Sequence, residues 1–220
     1  MPQIGDLFAK LAQGQQLTSG EIEQLRLGMN QQQQMASTVA GLVNVDGSLD
    51  LSFLPIRILY NKRLVVATSS IDINIPSDIN NLIFFGAART DEADWWDHID
   101  FNFNDDAGAN YEYQELDRTA TTTGGGSSRA HSVLPVSGAP GASADANFTG
   151  PWFTVIPNIG SALFKGSLSI CGGRYTETAN VVAIVASWWE NTSRVKKITL
   201  TPGEGTNFVV GSSFSVLGIV

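Results

Sequence analysis

The hydrophobic pattern of this chain changes its period near residue 52. Up to residue 43, apolar residues recur at steps of three and four, as they do along one face of a helix. From residue 53 onward, apolar and polar residues alternate with a period of two, which is typical of half-buried strands. A turn-rich segment joins the two parts. The pattern therefore predicts a helical segment at 1–43, a linker at 44–52 and a β domain at 53–220.

The helical segment carries a seam that favours self-association. Thr18 is placed to begin a helix, because Glu21 follows three residues later as in a capping box. A single helix of this kind is marginal in water, so we expect a coiled coil between copies of the chain; the alternative is a helix packed on its own domain. An a/d seam of about three heptads is formed by Ile22, Leu25, Met29, Gln32, Ala36, Val39 and Val43.

The β domain consists of short alternating runs. "SIDINIP" (70–76) and "HIDFNFN" (98–104) alternate strictly, and further runs bring the total to about eight to ten strands without a long helix. The run 214–219 has apolar residues on both faces, which predicts a strand in the interior of a sheet. We expect an antiparallel β-sandwich, and more specifically a jelly roll. Segment 119–150 is poor in apolar residues and rich in Gly, Ser, Thr and Ala, and it predicts a long flexible loop.

Composition and charge exclude several classes of function. The net charge of −8 argues against nucleic-acid binding and against docking on an anionic membrane. Only 15% of the residues are charged, against about 25% in an average soluble domain, which indicates a surface that is neutral and polar or covered by other chains. No signal peptide is recognised, and no apolar run reaches the roughly 18 residues of a membrane-spanning helix. Cys171 is the single cysteine and is expected to be buried and unpaired.

Acidic residues cluster between positions 91 and 117, which hold ten of the 21 acidic residues and no lysine or arginine. Because Ca²⁺ prefers carboxylate oxygens, this cluster contains a candidate calcium site, formed by Asp91, Asp94, Asp105 and Asp106. Their spacing does not follow the helical calcium-loop pattern, and the favoured alternative is a solvated acidic rim. The two histidines are isolated and no nucleophile elbow occurs. We therefore assign no catalytic residue and no cofactor, and we do not expect an enzyme.

Two tryptophan pairs stand out, at 95–96 and 188–189. Neighbours on a strand point to opposite faces, so one member of each pair is expected in the core and the other at the surface or in an interface. An exposed tryptophan stacks on sugar rings or enters protein interfaces. Trp95, Trp96 and, within the predicted loop, His131 are therefore the candidate contacts with a glycan or protein receptor.

Several motifs of the β domain resemble, in order, those of a jelly-roll-type domain found in virion proteins of tailed bacteriophages. "LIFFGAART" followed by "HIDFNFNDDAGANYEYQEL" is similar to a strand, a small-residue turn and a second strand ending in an Asn-Asp-Gly-Asn-Tyr pattern, and "FTVIPN" (153–158) to an Ile-Pro-Asn strand. The likeness covers roughly residues 52–220. Leu217 departs from it, since the family often has Tyr there. The matching residues of the last motif are Gly205, Asn207, Phe208, Gly211, Ser212, Gly218 and Ile219.

The resemblance implies a virion component that is commonly homotrimeric and is not an enzyme. With the helical segment, it suggests a short fibre or spike, assembled in the host cytoplasm, in which residues 1–43 attach to other virion proteins and the β domain projects. On the tail, such a protein adheres to the host surface. The alternative is a capsid decoration or head-fibre protein, and a more distant alternative is a lectin or glycan-active enzyme.

Overall fold

A computed structural model describes the chain at residues 10, 13, 16, 18–23, 55–119, 122–176 and 180–220. The chain divides into two compact units, Met1–Phe53 and Leu54–Val220.

In the first unit, the predicted capping box is present. The backbone N–H and the hydroxyl of Thr18 donate to the Glu21 carboxylate at 2.9 and 3.0 Å, and the Glu21 N–H donates back to the Thr18 hydroxyl at 3.3 Å. Residues 19–23 are helical and Ile22, the first seam residue, is exposed. The other seam positions lie outside the described residues, namely Leu25, Met29, Gln32, Ala36, Val39 and Val43.

The second unit is mainly β, as predicted, and its strands pair antiparallel. In its described residues the strands are β1 (Ile56–Arg63), β2 (Ile71–Asn74), β3 (Asn81–Ala88), β4 (Trp96–Phe103), β5 (Tyr111–Thr119), β6 (Thr122–His131), β7 (Leu134–Pro140), β8 (Gly150–Ile156), β9 (Lys165–Arg174), β10 (Asn180–Trp189), β11 (Lys197–Pro202) and β12 (Ser213–Ile219).

These strands form two sheets. The large sheet has the order β1-β12-β3-β8-β9-β10-β5-β6, and the small sheet has the order β2-β11-β4-β7. The chain crosses between the sheets after β1, β2, β3, β4, β6, β7, β10 and β11. The pairs β5–β6 and β9–β10 are hairpins that stay in the large sheet and widen it. The strand β12 lies between β1 and β3, which confirms the interior position predicted for residues 214–219.

An aromatic core lies between the two sheets. On β4 of the small sheet, Ile99, Phe101 and Phe103 are fully buried, because the alternation of "HIDFNF" turns every second side chain inward. The ring centroid of Phe101 lies 4.7 Å from that of Phe84 on β3 and 6.3 Å from that of Trp152 on β8, both in the large sheet. The side chains of β4 that hold the two sheets together are therefore those that the alternation of the sequence places on the inner face.

The prediction of a long flexible loop at 119–150 is wrong for the described residues. This segment contains β6, β7 and the first residue of β8. The strand β6 pairs with β5, and every residue of β7 is buried. The ring of Trp96 occupies the space that a Cβ at Gly138 would need. The small residues of β7 therefore serve close packing, which a count of large apolar residues does not detect.

Candidate functional site

Asp91 and Asp94, the first half of the candidate calcium site, are used by local hydrogen bonds. One oxygen of Asp91 accepts from the backbone N–H groups of Thr206 and Asn207, both at 2.7 Å, and the other accepts from the Asn207 side chain at 2.8 Å. These bonds, led by that of the Asn207 N–H, hold the pKa of Asp91 below its usual value. Asp94 accepts from the N–H of Trp95 at 2.7 Å. Both carboxylates thus shape loops around β4.

Asp105 and Asp106, the second half, lie in the turn between β4 and β5. Asp105 is exposed and pairs with Lys197 at 2.8 Å. Asp106 accepts from the N–H of Gly108 at 2.9 Å and from the buried indole N–H of Trp189 at 2.8 Å. Burial acts to raise the pKa of Asp106, but these and further donated bonds outweigh it and lower the pKa. Among the described residues, no group of three or more His, Cys, Asp or Glu side chains is arranged to hold a metal ion.

A second group of ionisable side chains links β4 to β5. His98 lies 3.8 Å from Glu115, and Asp100 is almost fully buried with one carboxylate oxygen unpartnered. Burial raises the pKa of Asp100 to about 6. For His98, burial acts to lower the pKa, but the neighbouring Glu115, Asp100 and Asp97 have the larger combined effect, and the net result is a raised pKa. Buried groups with shifted pKa values are also found in active sites, but neither of the two described grooves is lined by them.

The candidate receptor contacts fall into two separate ring clusters. Trp95 and Trp96 are half-buried and pack on the fully buried Tyr175, with ring centroids 5.5 and 5.0 Å apart. The prediction that one of them is core and the other exposed fails, because β4 begins only at Trp96 and the alternation of a strand does not extend to Trp95. His131 instead packs at a tilt against Tyr113, with ring centroids 5.5 Å apart.

The second tryptophan pair behaves as predicted. On β10, Trp189 is 1% exposed and Trp188 is 42% exposed. Trp188 lies in a groove of about 520 Å³ beside Phe164 and Tyr113, together with polar side chains that include Glu112, Gln114, Arg129 and Glu190. Aromatic faces flanked by carboxylate and amide groups can bind sugars. Sequence analysis named Trp95 and Trp96 for this chemistry and did not name Trp188, although the same paired signal is present at 188–189.

The most extensive feature is an apolar outer face on the large sheet, which sequence analysis did not single out. Inward side chains of β10 such as Ala183 and Val185 belong to the buried set, so their neighbours Val182 and Ile184 point outward. The available signal was the run "NVVAIVASWW", which is apolar at both alternating positions. The apolar face, with exposed fractions from 41% to 58%, consists of Phe85, Phe153, Leu168, Ile170, Val182, Ile184 and Leu116.

Comparison with known proteins adds no relative to this picture: no family model, no curated protein and no solved structure matches the chain. Across the part of the chain that the structure describes, no helix combines the length and the apolar character needed to cross a membrane.

Proposed function

We propose that this protein is a structural component of a tailed-bacteriophage virion, a homotrimeric short fibre or spike. Residues 1–43 attach to other virion proteins, and the β domain projects from the tail to contact a glycan or protein of the host surface. The observation that carries this proposal is the apolar face, because an exposed apolar patch of this extent is typical of a surface made for assembly.

We infer further that the sandwich is a jelly roll. Eight of its strands, β1-β12-β3-β8 in the large sheet and β2-β11-β4-β7 in the small sheet, have the sheet orders expected when a long antiparallel hairpin is rolled into two facing sheets. The two remaining hairpins, β5–β6 and β9–β10, are additions at one edge of the large sheet. This order supports the expectation that the sequence resemblance raised.

The residues that carry the resemblance to phage proteins build a turn. Asn104 has a φ of 55°, its side-chain oxygen accepts the N–H of Lys196 at 2.7 Å, and its amide donates to the carbonyl of Arg194 at 2.8 Å. The hydroxyl of Tyr111 accepts from the Phe103 N–H at 3.0 Å. Because these side chains hold the turn in place, the motif supports a shared fold and, through it, a shared kind of protein.

Glycan binding is the second candidate function, and the groove at Trp188 favours it. Trp188 and Phe164 offer exposed rings, and Glu112 and Glu190 offer hydrogen-bond acceptors for hydroxyl groups. A tail fibre that adheres to host glycans combines both functions. A lectin outside the virion would use the groove alone, and a capsid decoration protein would use the trimer alone.

The location of the protein tests the proposal. We expect gold-labelled antibodies against the β domain to decorate purified phage particles at the tail in electron micrographs. Label on the capsid would instead support the alternative of a capsid decoration or head-fibre protein. Particles from cells that produce the protein, with no label on head or tail, would refute a virion role.

A further inference from the structure

We propose that the apolar face is the surface through which copies of this chain contact one another in the homotrimer, an inference that rests on the proposed function. Sequence analysis placed self-association on the helical seam that begins at Ile22. The face assigns a contact to the β domain itself, between β3 and β5 across the large sheet.

The strand register brings the side chains of the face, except Val182, into two continuous rows, the second of which is completed by half-buried apolar neighbours. In the first row, each residue is the direct partner of the next on the neighbouring strand: Phe85, Phe153, Ile170, Ile184 and Leu116. In the second row the same holds for Leu217, Ile83, Val155, Leu168 and Ala186. Aligned partners on adjacent strands form one continuous surface, so the face is suited to contact a large surface rather than a small molecule.

The extent of the face matches what a stable protein contact needs. Its seven exposed members each leave about half of a side-chain surface of roughly 150–200 Å² uncovered, which gives about 600 Å² in all. Trp188 at the margin brings the total to about 700 Å². A standard interface covers about 800 Å² on each partner, and the largest apolar patch of an ordinary monomer is about 300–600 Å².

Charge favours a second copy of this chain as the occupant. Each copy carries a net charge of −8, so two copies repel one another wherever acidic surfaces meet. The two rows contain no charged residue, because Glu115 and Asp117, which flank Leu116 on β5, alternate to the opposite side of the strand. Arg118 pairs with Val182 at the edge of the face, and Glu112 lines the groove at its margin. A basic partner would instead be drawn to the acidic residues between positions 91 and 117. Permanent interfaces between identical subunits are also the most apolar class.

The test compares the full-length protein with two double variants by light scattering coupled to size exclusion. Ile170→Asp/Ile184→Asp places two carboxylates on direct partners at the centre of the face. Val65→Asp/Val66→Asp is the matched control, because both valines are at least as exposed but lie outside the strands. We expect a trimer for the wild type and the control, and a trimer dissociation constant at least about 100-fold weaker for the face variant.

If Ile170→Asp/Ile184→Asp forms a trimer with wild-type affinity, this inference is overturned but the virion role is unaffected. Conversely, virions that carry no label in electron micrographs would refute the virion role but would not affect the contact between copies. A monomeric wild type would overturn the contact and the homotrimer together. If circular dichroism shows that the face variant does not fold, hydroxyl-radical footprinting of the wild type tests the contact instead. Labelling of Ile170 and Ile184 that falls as the protein is concentrated, while that of Val65 stays constant, supports the contact, and labelling of all three that does not change with concentration overturns it.

Discussion

Replacing Asp106 with asparagine tests whether the turn between β4 and β5 is held by its carboxylate. The two oxygens of Asp106 accept from Gly108 and Trp189 at 2.9 and 2.8 Å, and the Asn110 side chain donates to both. An amide keeps only one acceptor, and its NH₂ group then faces one of these N–H donors. The variant therefore leaves a donor of Gly108 or of the buried Trp189 without a partner.

An unsatisfied buried donor costs about 1–3 kcal/mol. For a domain of this size, a loss of about 2 kcal/mol lowers the melting temperature by about 4–8 °C. Asp105→Asn is the matched control, because it also removes one negative charge from the same turn. Asp105 has a φ of 58°, which asparagine tolerates. Its pair with Lys197 involves a side chain that is 69% exposed, so the expected loss is below about 1 kcal/mol.

Differential scanning calorimetry of the wild type and the two variants near neutral pH measures the effect. Since the folded protein lowers the pKa of Asp106, the stabilisation is present above the ordinary value of 3.8 and is lost as the pH falls through the folded pKa. The difference between the wild type and Asp106→Asn should therefore shrink in acid. Equal melting temperatures of the two variants at neutral pH would refute this account of the turn.

Two further predictions concern buried groups. Burial raises the pKa of Asp100 to about 6, so the folded protein holds its proton more tightly than the unfolded chain and stability falls as the pH rises from about 4 through 6; the raised pKa of His98 acts in the same direction. Asp100→Asn should melt higher than the wild type well above pH 6 and close to it near pH 4, and an equal loss at both would contradict this. Cys171 is 3% exposed and burial raises the pKa of its thiol, so we expect iodoacetamide to react at least about 100-fold more slowly with the folded than with the unfolded protein; comparable rates by mass spectrometry would show an open site.

Local pattern determines the elements of this protein. The capping box at Thr18 and Glu21, the alternation of "HIDFNF" in β4 and the opposite exposure of Trp188 and Trp189 follow from covalent geometry and from the period of a helix or strand. The antiparallel, mainly β architecture follows from these elements, since short half-buried strands must pair and cover one face. For the same reason, apolar residues on both faces of the run 214–219 predicted an interior strand.

Neighbours distant in sequence determine the site. The segment 122–140 forms two strands because β5 and β4 pair with it and because small residues such as Gly138 fit beneath Trp96, and neither condition is visible in a local pattern. The aspartates of the predicted calcium site do not form one cluster, because each accepts hydrogen bonds from its own surroundings. Asp91, for example, accepts from the loop after β11. Ile170 and Ile184 become one surface only when β9 and β10 pair in register. The sequence by itself thus determined the strands with regular alternation, such as β4, and the face to which each of their side chains points. Only the tertiary structure decided that 122–140 forms strands and that separate outward faces join into a single apolar surface, because the pairing register aligns positions that lie far apart along the chain.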